Sequence, residues 1–444
     1  MPWFIACVAV PHRLPDNECV WFVGRPPTPP VGIGRGLRVA FREMWRRKKP
    51  EFTKPEDEFA EEMLAVVQQV LGTKPARIPN FALSIERPDG PPITMNLSSL
   101  YAETKKLTGE ERVERLRTAA LAAAPPPRPA TWIEAAPSLL PSVRAVSWVE
   151  ASEAAKLIHE GLVPFLKVTC AIDSEHATSY VTRSDLASWG QSAEASLRAA
   201  TANMGKLQLQ VAKTGSAAIV LGPDGYVSSW LIAPARLRET AREFGEEMVA
   251  LAPHRDRLLL VDATDVAASI RLMEETLLEY QNAPRHLSPV PYLVKELAIE
   301  PWSPPADHPA RKLVDKAKHV LANVEYGLQK ARLTEFYAKA GQDVFVASYS
   351  LVQRPDGSVW SWAAWSKQVT AGLLPEVDVL LLVDNANREG AFAVRWQDAV
   401  ALAGRSLKQD AAADPPRWRH TGWPDTSTLT ALQQAAIPFP PPAG

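Results

Sequence analysis

Cysteine is nearly missing from this chain: 444 residues carry three, Cys7, Cys19 and Cys170. The count is odd and no pair has the CxxC spacing of zinc or redox sites. That excludes a disulfide framework and makes a reducing cytoplasm the expected location. An excess of charge is also lacking. The 49 basic residues are balanced by 50 acidic ones, for a formal net charge of -1. No global field therefore draws nucleic acid or a membrane surface, and such contacts would have to be local patches. Nor does any apolar run reach the ~18 residues that a membrane span requires. The opening "MPWFIACVAVPH" has no basic stretch before its short apolar run, so it is expected to form a buried strand rather than a leader.

Catalytic signatures are lacking in the same way. "APHRDRLLLVD" (252–262) contains His254-Arg255-Asp256, the tripeptide that opens protein-kinase catalytic loops, and "VGIGRG" (31–36) is glycine-rich. A kinase needs asparagine five residues after that aspartate to hold a metal ion; here the position is Val261, and Asp-Phe-Gly occurs nowhere. Gly32, Gly34 and Gly36 alternate after a proline cluster, without the strand or the third-glycine spacing of a dinucleotide fingerprint, and Gly-Lys-Ser/Thr is missing. There is no Gly-x-Ser-x-Gly elbow, and no two of the eight histidines have the spacing of a helical zinc site. Asp378 and Asp384 flank "VDVLLLVD" and could hold a metal as in some nucleases. Without an acid-x-lysine partner, turn and capping roles are the better reading. No cofactor or metal ligand set is assigned.

What the chain does have is proline, forty residues in clusters that punctuate it. Between them the patterning alternates between helical and strand periods, which predicts an α+β protein of small mixed or antiparallel sheets flanked by helices, in several domains. Residues 1–50 form a hairpin and basic helix, 51–124 a small α-β-β-α unit, and 125–138 a proline-rich linker. An α+β core follows over 139–300, then a C-terminal α+β domain over 301–436, with 437–444 as tail. Within the core, "APARLRETAREFGEEMVALA" places Leu237, Ala241, Phe244 and Met248 on one face of a predicted helix. Ser184 is the expected N-cap of the helical stretch that follows it. In the C-terminal domain, "ARKLVDKAKHVLANVEYGLQKARLTEFYAKAG" reads as a long helix stopped by Gly341, and a hairpin is expected about Pro355-Asp356-Gly357.

Two surface features could carry recognition. In "GRGLRVAFREMWRRKKP" (34–50), Arg38, Arg42, Arg46, Arg47, Lys48 and Lys49 lie among apolar residues at helical spacing. Such a helix can meet nucleic acid or anionic lipid. A half-buried helix with solvated arginines is preferred, because the neutral chain supplies no supporting field. Six of the fourteen tryptophans fall between 360 and 423. Among them, Trp360 and Trp362 share one face of a strand. Aromatic platforms bind sugars, bases or protein partners; burial in the core of a small sheet is the plainer explanation.

The order of segments resembles the YtpQ-like family of bacterial proteins. The likeness lies in "EFAEEMLAVVQQVLG", "LSIERPDGPPITMNLSSLYAETKK", "LLPSVRAVSWVEA", "TSYVTRSDLASWGQSAEASLRAATANM", "APHRDRLLLVD" and "APRHLSPVPYLV". It covers about residues 53–300 and brings no reaction, cofactor or catalytic residue with it. It implies that Pro253, Arg255 and Asp256 form a helix-to-strand turn, with Asp256 accepting backbone N–H groups.

The reading is a non-enzymatic, cytoplasmic bacterial protein that works through protein–protein contacts, as an accessory, adaptor or immunity-type factor. One alternative is a hydrolase-type enzyme with a site near Arg255 and Asp256, for which Ser179 is a candidate companion, or near the C-terminal aspartates. The other is nucleic-acid or membrane-surface binding through residues 35–49.

Overall fold

The structure is a computed structural model. It describes residues 6–8, 20–22, 54–79, 81–87, 90–123, 128–150, 156–173, 178–222, 226–245, 247–283, 285–354, 356–384, 386 and 390–439. The protein is α+β, with helices flanking several small antiparallel and mixed sheets. Two compact units divide the chain. One takes Met1–Gly24, Pro141–Cys170 and Met204–Gly444; the other takes Arg25–Leu140 and Ala171–Asn203. The proline-rich stretch 125–138 thus lies within the second unit, and residues from both 139–300 and 301–436 contribute to the first.

In the second unit the helix Lys54–Leu71 begins with Glu56 and Asp57 in its first turn, where acids favour the positive end of the helix dipole. Phe59, Met63 and Val67 recur every four residues and are buried. They pack with Leu83 and Ile85 of the strand Ala82–Arg87 and with Leu116 and Ala120 of the helix Gly109–Ala122. Farther along, the helix Arg183–Trp189 is capped by Thr182 rather than by Ser184. Its hydroxyl accepts from the Asp185 amide, while the Asp185 carboxylate accepts from the Thr182 amide. Both partners of a capping box must stand three residues apart, and only Thr182 has an acid at that spacing. Gly190, at φ 64°, ends that helix, and a second one runs Ala193–Met204.

The first unit contains a six-stranded antiparallel sheet in the order Gln210–Thr214, Ala217–Leu221, Leu259–Asp262, Met248–Leu251, Tyr292–Val294, Ile299–Pro301. One of its faces joins a core with Trp230, Leu231, Phe244 and Tyr280; the other joins a core with Met273, Trp302 and Val314. The helix expected over 233–252 is shorter in the structure. It covers Pro234–Thr240, a 3-10 turn covers Arg242–Phe244, and Met248–Leu251 is a strand. Gly245, at φ 64° and ψ -151°, adopts a conformation open only to glycine and ends the helical path. Leu237, Ala241, Phe244 and Met248 nonetheless share one core. The apolar spacing identified the buried residues correctly, but a run such as "MVAL" suits a central strand as well as a helix end.

A seven-stranded mixed sheet runs in the order Ala6–Val8, Val20–Phe22, Ser350–Gln353, Val359–Ser366, Val379–Val383, Phe392–Arg395, Ala436–Ile437. Sequence order and sheet order coincide. The long helix Arg311–Lys339 spans the cores of this unit: Val314 and Leu321 belong to those of the six-stranded sheet, and Ala322 and Tyr326 to that of the seven-stranded one. Gly341 follows it at φ 64°. Arg417 is fully buried in this part of the fold. Its Nε donates to Gln329 Oε1 at 2.6 Å, and its terminal nitrogens donate to the carbonyls of Ala347, Leu373 and Tyr326 at 2.9–3.2 Å.

Candidate interaction face

The strand Val359–Ser366 alternates in burial, as a two-sided strand must. Ser361, Ala363 and Trp365 are buried, and Ala363 and Trp365 join the core beneath the sheet. Trp360, Trp362 and Ala364 point the other way and are half-buried. The hairpin that presents them is closed by the Arg354 amide donating to Ser358 O, with Gly357 at φ 84°. Residues paired across a sheet share its face. Trp360 therefore stands beside Val352, and Trp362 beside Ser350 and Val379. Ala364 stands beside Leu381, and Ser366 beside Val383. These outward positions of the three central strands carry no acid.

Two contacts mark this outer face. The Arg354 guanidinium lies over the Trp360 ring, 5.0 Å from its centroid. Phe439 meets Trp362 edge-on, with centroids 5.9 Å apart. Three indoles elsewhere bond within the fold: Trp365 donates to Gly422 O at 3.0 Å, Trp418 to Glu376 Oε1 at 3.0 Å, and Trp189 to Pro129 O at 2.9 Å. Arg354 Nη2 is buried with no hydrogen-bond acceptor among the described residues. The face is thus apolar and aromatic, and Val352 and Val379 on it are buried.

Beneath it lies a polar clasp. The Ser361 amide and hydroxyl donate to Asp378 Oδ2 at 2.7 and 2.9 Å, and the Asp378 amide donates back to Ser361 Oγ at 2.8 Å. His319 of the long helix joins them, its Nε2 3.4 Å from Asp378 Oδ2 and its Nδ1 3.0 Å from the Tyr349 hydroxyl. Burial lowers the His319 pKa against the pull of Asp378 and Asp315. The residue types are those of a hydrolytic triad, but the connections differ. A nucleophilic serine bonds to its histidine base, whereas Ser361 bonds to the aspartate and is itself buried. The cluster fixes the start of one strand against its neighbour.

The other candidates fall apart in space or in environment. Asp378 and Asp384 sit at opposite ends of Val379–Val383, about 20 Å apart at the rise of a strand, too far to share a metal ion. Asp384 accepts from Lys367 Nζ, Gln368 Nε2 and the Ala386 amide at 2.8–3.1 Å. These bonds, Lys367 first, lower its pKa to about 2. Among the described residues, no group of three or more His, Cys, Asp or Glu is placed to hold a metal. Pro253, Arg255 and Asp256 form the turn between Met248–Leu251 and Leu259–Asp262, so it is a strand-to-strand turn rather than helix-to-strand. Main-chain bonds tie it down: Leu287 N to Pro253 O, Arg255 N to Arg285 O, and Ser228 N to Arg255 O. Asp256 Oδ2 lies 3.4 Å from Arg255 Nε. Ser179 belongs to the other unit, in the strand Thr178–Tyr180. Arg38, Arg42, Arg46, Arg47, Lys48 and Lys49 lie outside the described residues.

Sequence reasoning missed Glu325, the most perturbed acid of the first unit. It is fully buried on the long helix and accepts from the Ser147 amide at 2.8 Å and hydroxyl at 3.1 Å. Burial pushes its pKa up to about 7, partly offset by Ser147, with Asp414 adding to the rise. Its position, four residues after Leu321 on the apolar stripe, was the available signal. No family model, curated protein or solved structure matches this chain.

Proposed function

We propose that this chain is a non-enzymatic binding protein of the cytoplasm, which engages a protein partner through the outer face of its seven-stranded sheet. The observation that carries the reading is the pair Trp360 and Trp362, two large aromatic side chains half-buried side by side on that face. Aromatic residues of this kind, partly exposed and with a polar tip, are the anchors on which binding energy concentrates. Arg354 over Trp360 adds a second residue type enriched at such anchors. Resemblance to the YtpQ-like family belongs to the same reading and adds no reaction to it.

The test is affinity capture from the source organism with the full chain and with a Trp360→Ala/Trp362→Ala form, read by mass spectrometry. The same proteins should be recovered reproducibly by the first and lost with the second, while the two forms keep near-ultraviolet circular dichroism of a folded core. Equal recovery by both forms, or no specific recovery at all, would refute it.

A further inference from the structure

We propose that the protein self-associates through one edge of its six-stranded sheet. The strand Gln210–Thr214 pairs antiparallel with the same strand of a second copy, about a two-fold axis at Ala212.

The backbone of that edge is directed toward a further strand. Gln210–Thr214 is the terminal strand of the sheet, and among the described residues its strand partner is Ala217–Leu221. On the far side of Ala217–Leu221, the Val220 amide donates to Leu258 O and Ser216 O accepts from the Asp262 amide. Main-chain groups alternate in direction along an antiparallel strand. Val220 therefore turns its amide and carbonyl away from Val211, its partner in register. The main-chain groups of Val211 then point to the outer edge, and those of Lys213 with them.

Folded proteins blunt exposed edges with proline, charge, a bulge or brevity. Among the described residues, the other edge strands follow that rule. Gly90–Asn96 carries Pro91 and Pro92, Leu139–Ala145 carries Pro141, and Leu407–Asp410 carries Lys408 and Asp410. The register of His159–Val163 shifts at a bulge. The remaining edges are three residues long or shorter. Gln210–Thr214 has neither proline nor bulge, and all of it except Val211 is exposed.

The same strand is complementary to itself. Antiparallel pairing centred on Ala212 sets Gln210 opposite Thr214 of the second copy, and Val211 opposite its Lys213. The single charge on the strand thus never meets its like. Lys213 is moreover held by Glu243 of its own chain, at 2.5 Å. On the other face, Ala212 stands beside Ile219 and Gln210 beside Leu221. Ile219 and Leu221 are 41% and 45% exposed. Pairing extends them into an apolar row across the axis, in which Ile219 and Ala212 are followed by Ala212 and Ile219 of the second copy. A contact this short buries a small area, so a reversible dimer is the expected form.

The experiment is sedimentation velocity on the full chain over a range of concentrations, with Ala212→Glu, Ala212→Lys and an equimolar mixture of the two. Ala212 is exposed, so the monomer tolerates either charge, which circular dichroism checks. The wild-type chain should pass from monomer to dimer as concentration rises. Each variant sets like charges against each other at the axis and should weaken the dimer at least about tenfold. The mixture should restore it, because opposite charges then meet. Hydrogen exchange of the peptide spanning Gln210–Thr214 gives a readout that needs no variant. Its protection should rise with concentration as the amides of Val211 and Lys213 become bonded. A chain that stays monomeric throughout, with exchange independent of concentration, overturns the proposal and leaves the edge to a different extended chain or to none. A dimer that persists in both variants places the contact elsewhere and overturns it as well, and so does a mixture no more associated than its components.

Discussion

Glu325 makes the stability of the first unit depend on pH in an unusual direction. Its carboxyl is fully buried and is pushed up to about 7 in the fold, against an ordinary value of 4.5. Below pH 4.5 both folded and unfolded chains hold the proton, and the contribution is at its greatest. Between 4.5 and 7 the folded chain keeps a proton that the unfolded chain has released, so stability falls as pH rises; above 7 the loss is complete. The full change is about 3 kcal/mol, since each tenfold step in proton affinity corresponds to about 1.4 kcal/mol. Glu325→Gln removes the titration and retains partners for Ser147, because an amide can accept from its N–H and meet its hydroxyl. Urea denaturation across this pH range should show the two forms equal near pH 4.5 and the variant more stable by about 3 kcal/mol at about pH 8. In melting temperature that gap is at least about 5 °C. Other carboxylates titrate in both forms, so the difference between the forms is the quantity to read. Parallel pH profiles, or a variant less stable at alkaline pH, would refute the assignment.

Three further perturbations test the fold around this site. Arg417→Lys cannot reproduce a guanidinium that serves Gln329 and three main-chain carbonyls. It should cost about 3 kcal/mol in denaturant unfolding, and retention of wild-type stability would contradict the burial. Gly372→Ala sets a methyl group against the buried His420 ring. A loss of about 1–3 kcal/mol is expected, read as a lowered melting temperature. Asp256→Ala should cost less than about 1 kcal/mol, because main-chain bonds hold the Pro253–Asp256 turn. A larger loss, or hydrogen exchange of the Met248–Leu251 strand raised to the level of an open loop, would return the carboxylate to a structural role.

The elements legible in the sequence are those whose period or punctuation has one physical solution. The hairpin about Pro355-Asp356-Gly357 closes where expected, with Gly357 in the left-handed region. The long helix runs Arg311–Lys339 and stops before Gly341. Local reading fails where a tertiary partner decides. "MVAL" became a strand because neighbours on both sides complete its ladder. The two compact units exchange the chain at 24/25, 140/141, 170/171 and 203/204; the proline cluster over 25–30 marks the first, but none marks the other three, because those crossings lie inside regular elements whose composition does not change there. Glu325, Arg417 and the Ser361–Asp378 clasp depend on residues far apart in sequence, so only the folded chain assembles them.

The tryptophans bring both halves of that lesson to one strand. Composition counted six between 360 and 423 and could not separate core from surface. Strand alternation does separate them: Trp365 faces the core, while Trp360 and Trp362 face outward. What alternation cannot supply is the partner that each side chain meets. Trp365 donates to the carbonyl of Gly422, 57 residues away in sequence, so its side chain is fully used by the fold. Its outward neighbours are half-buried instead, one under the Arg354 guanidinium and one against Phe439. A large aromatic ring left half-buried on the outer face of a sheet is a costly surface to maintain unless something else covers it. Burial alone, read residue by residue, turns one strand of three tryptophans into one core anchor and two candidate contacts.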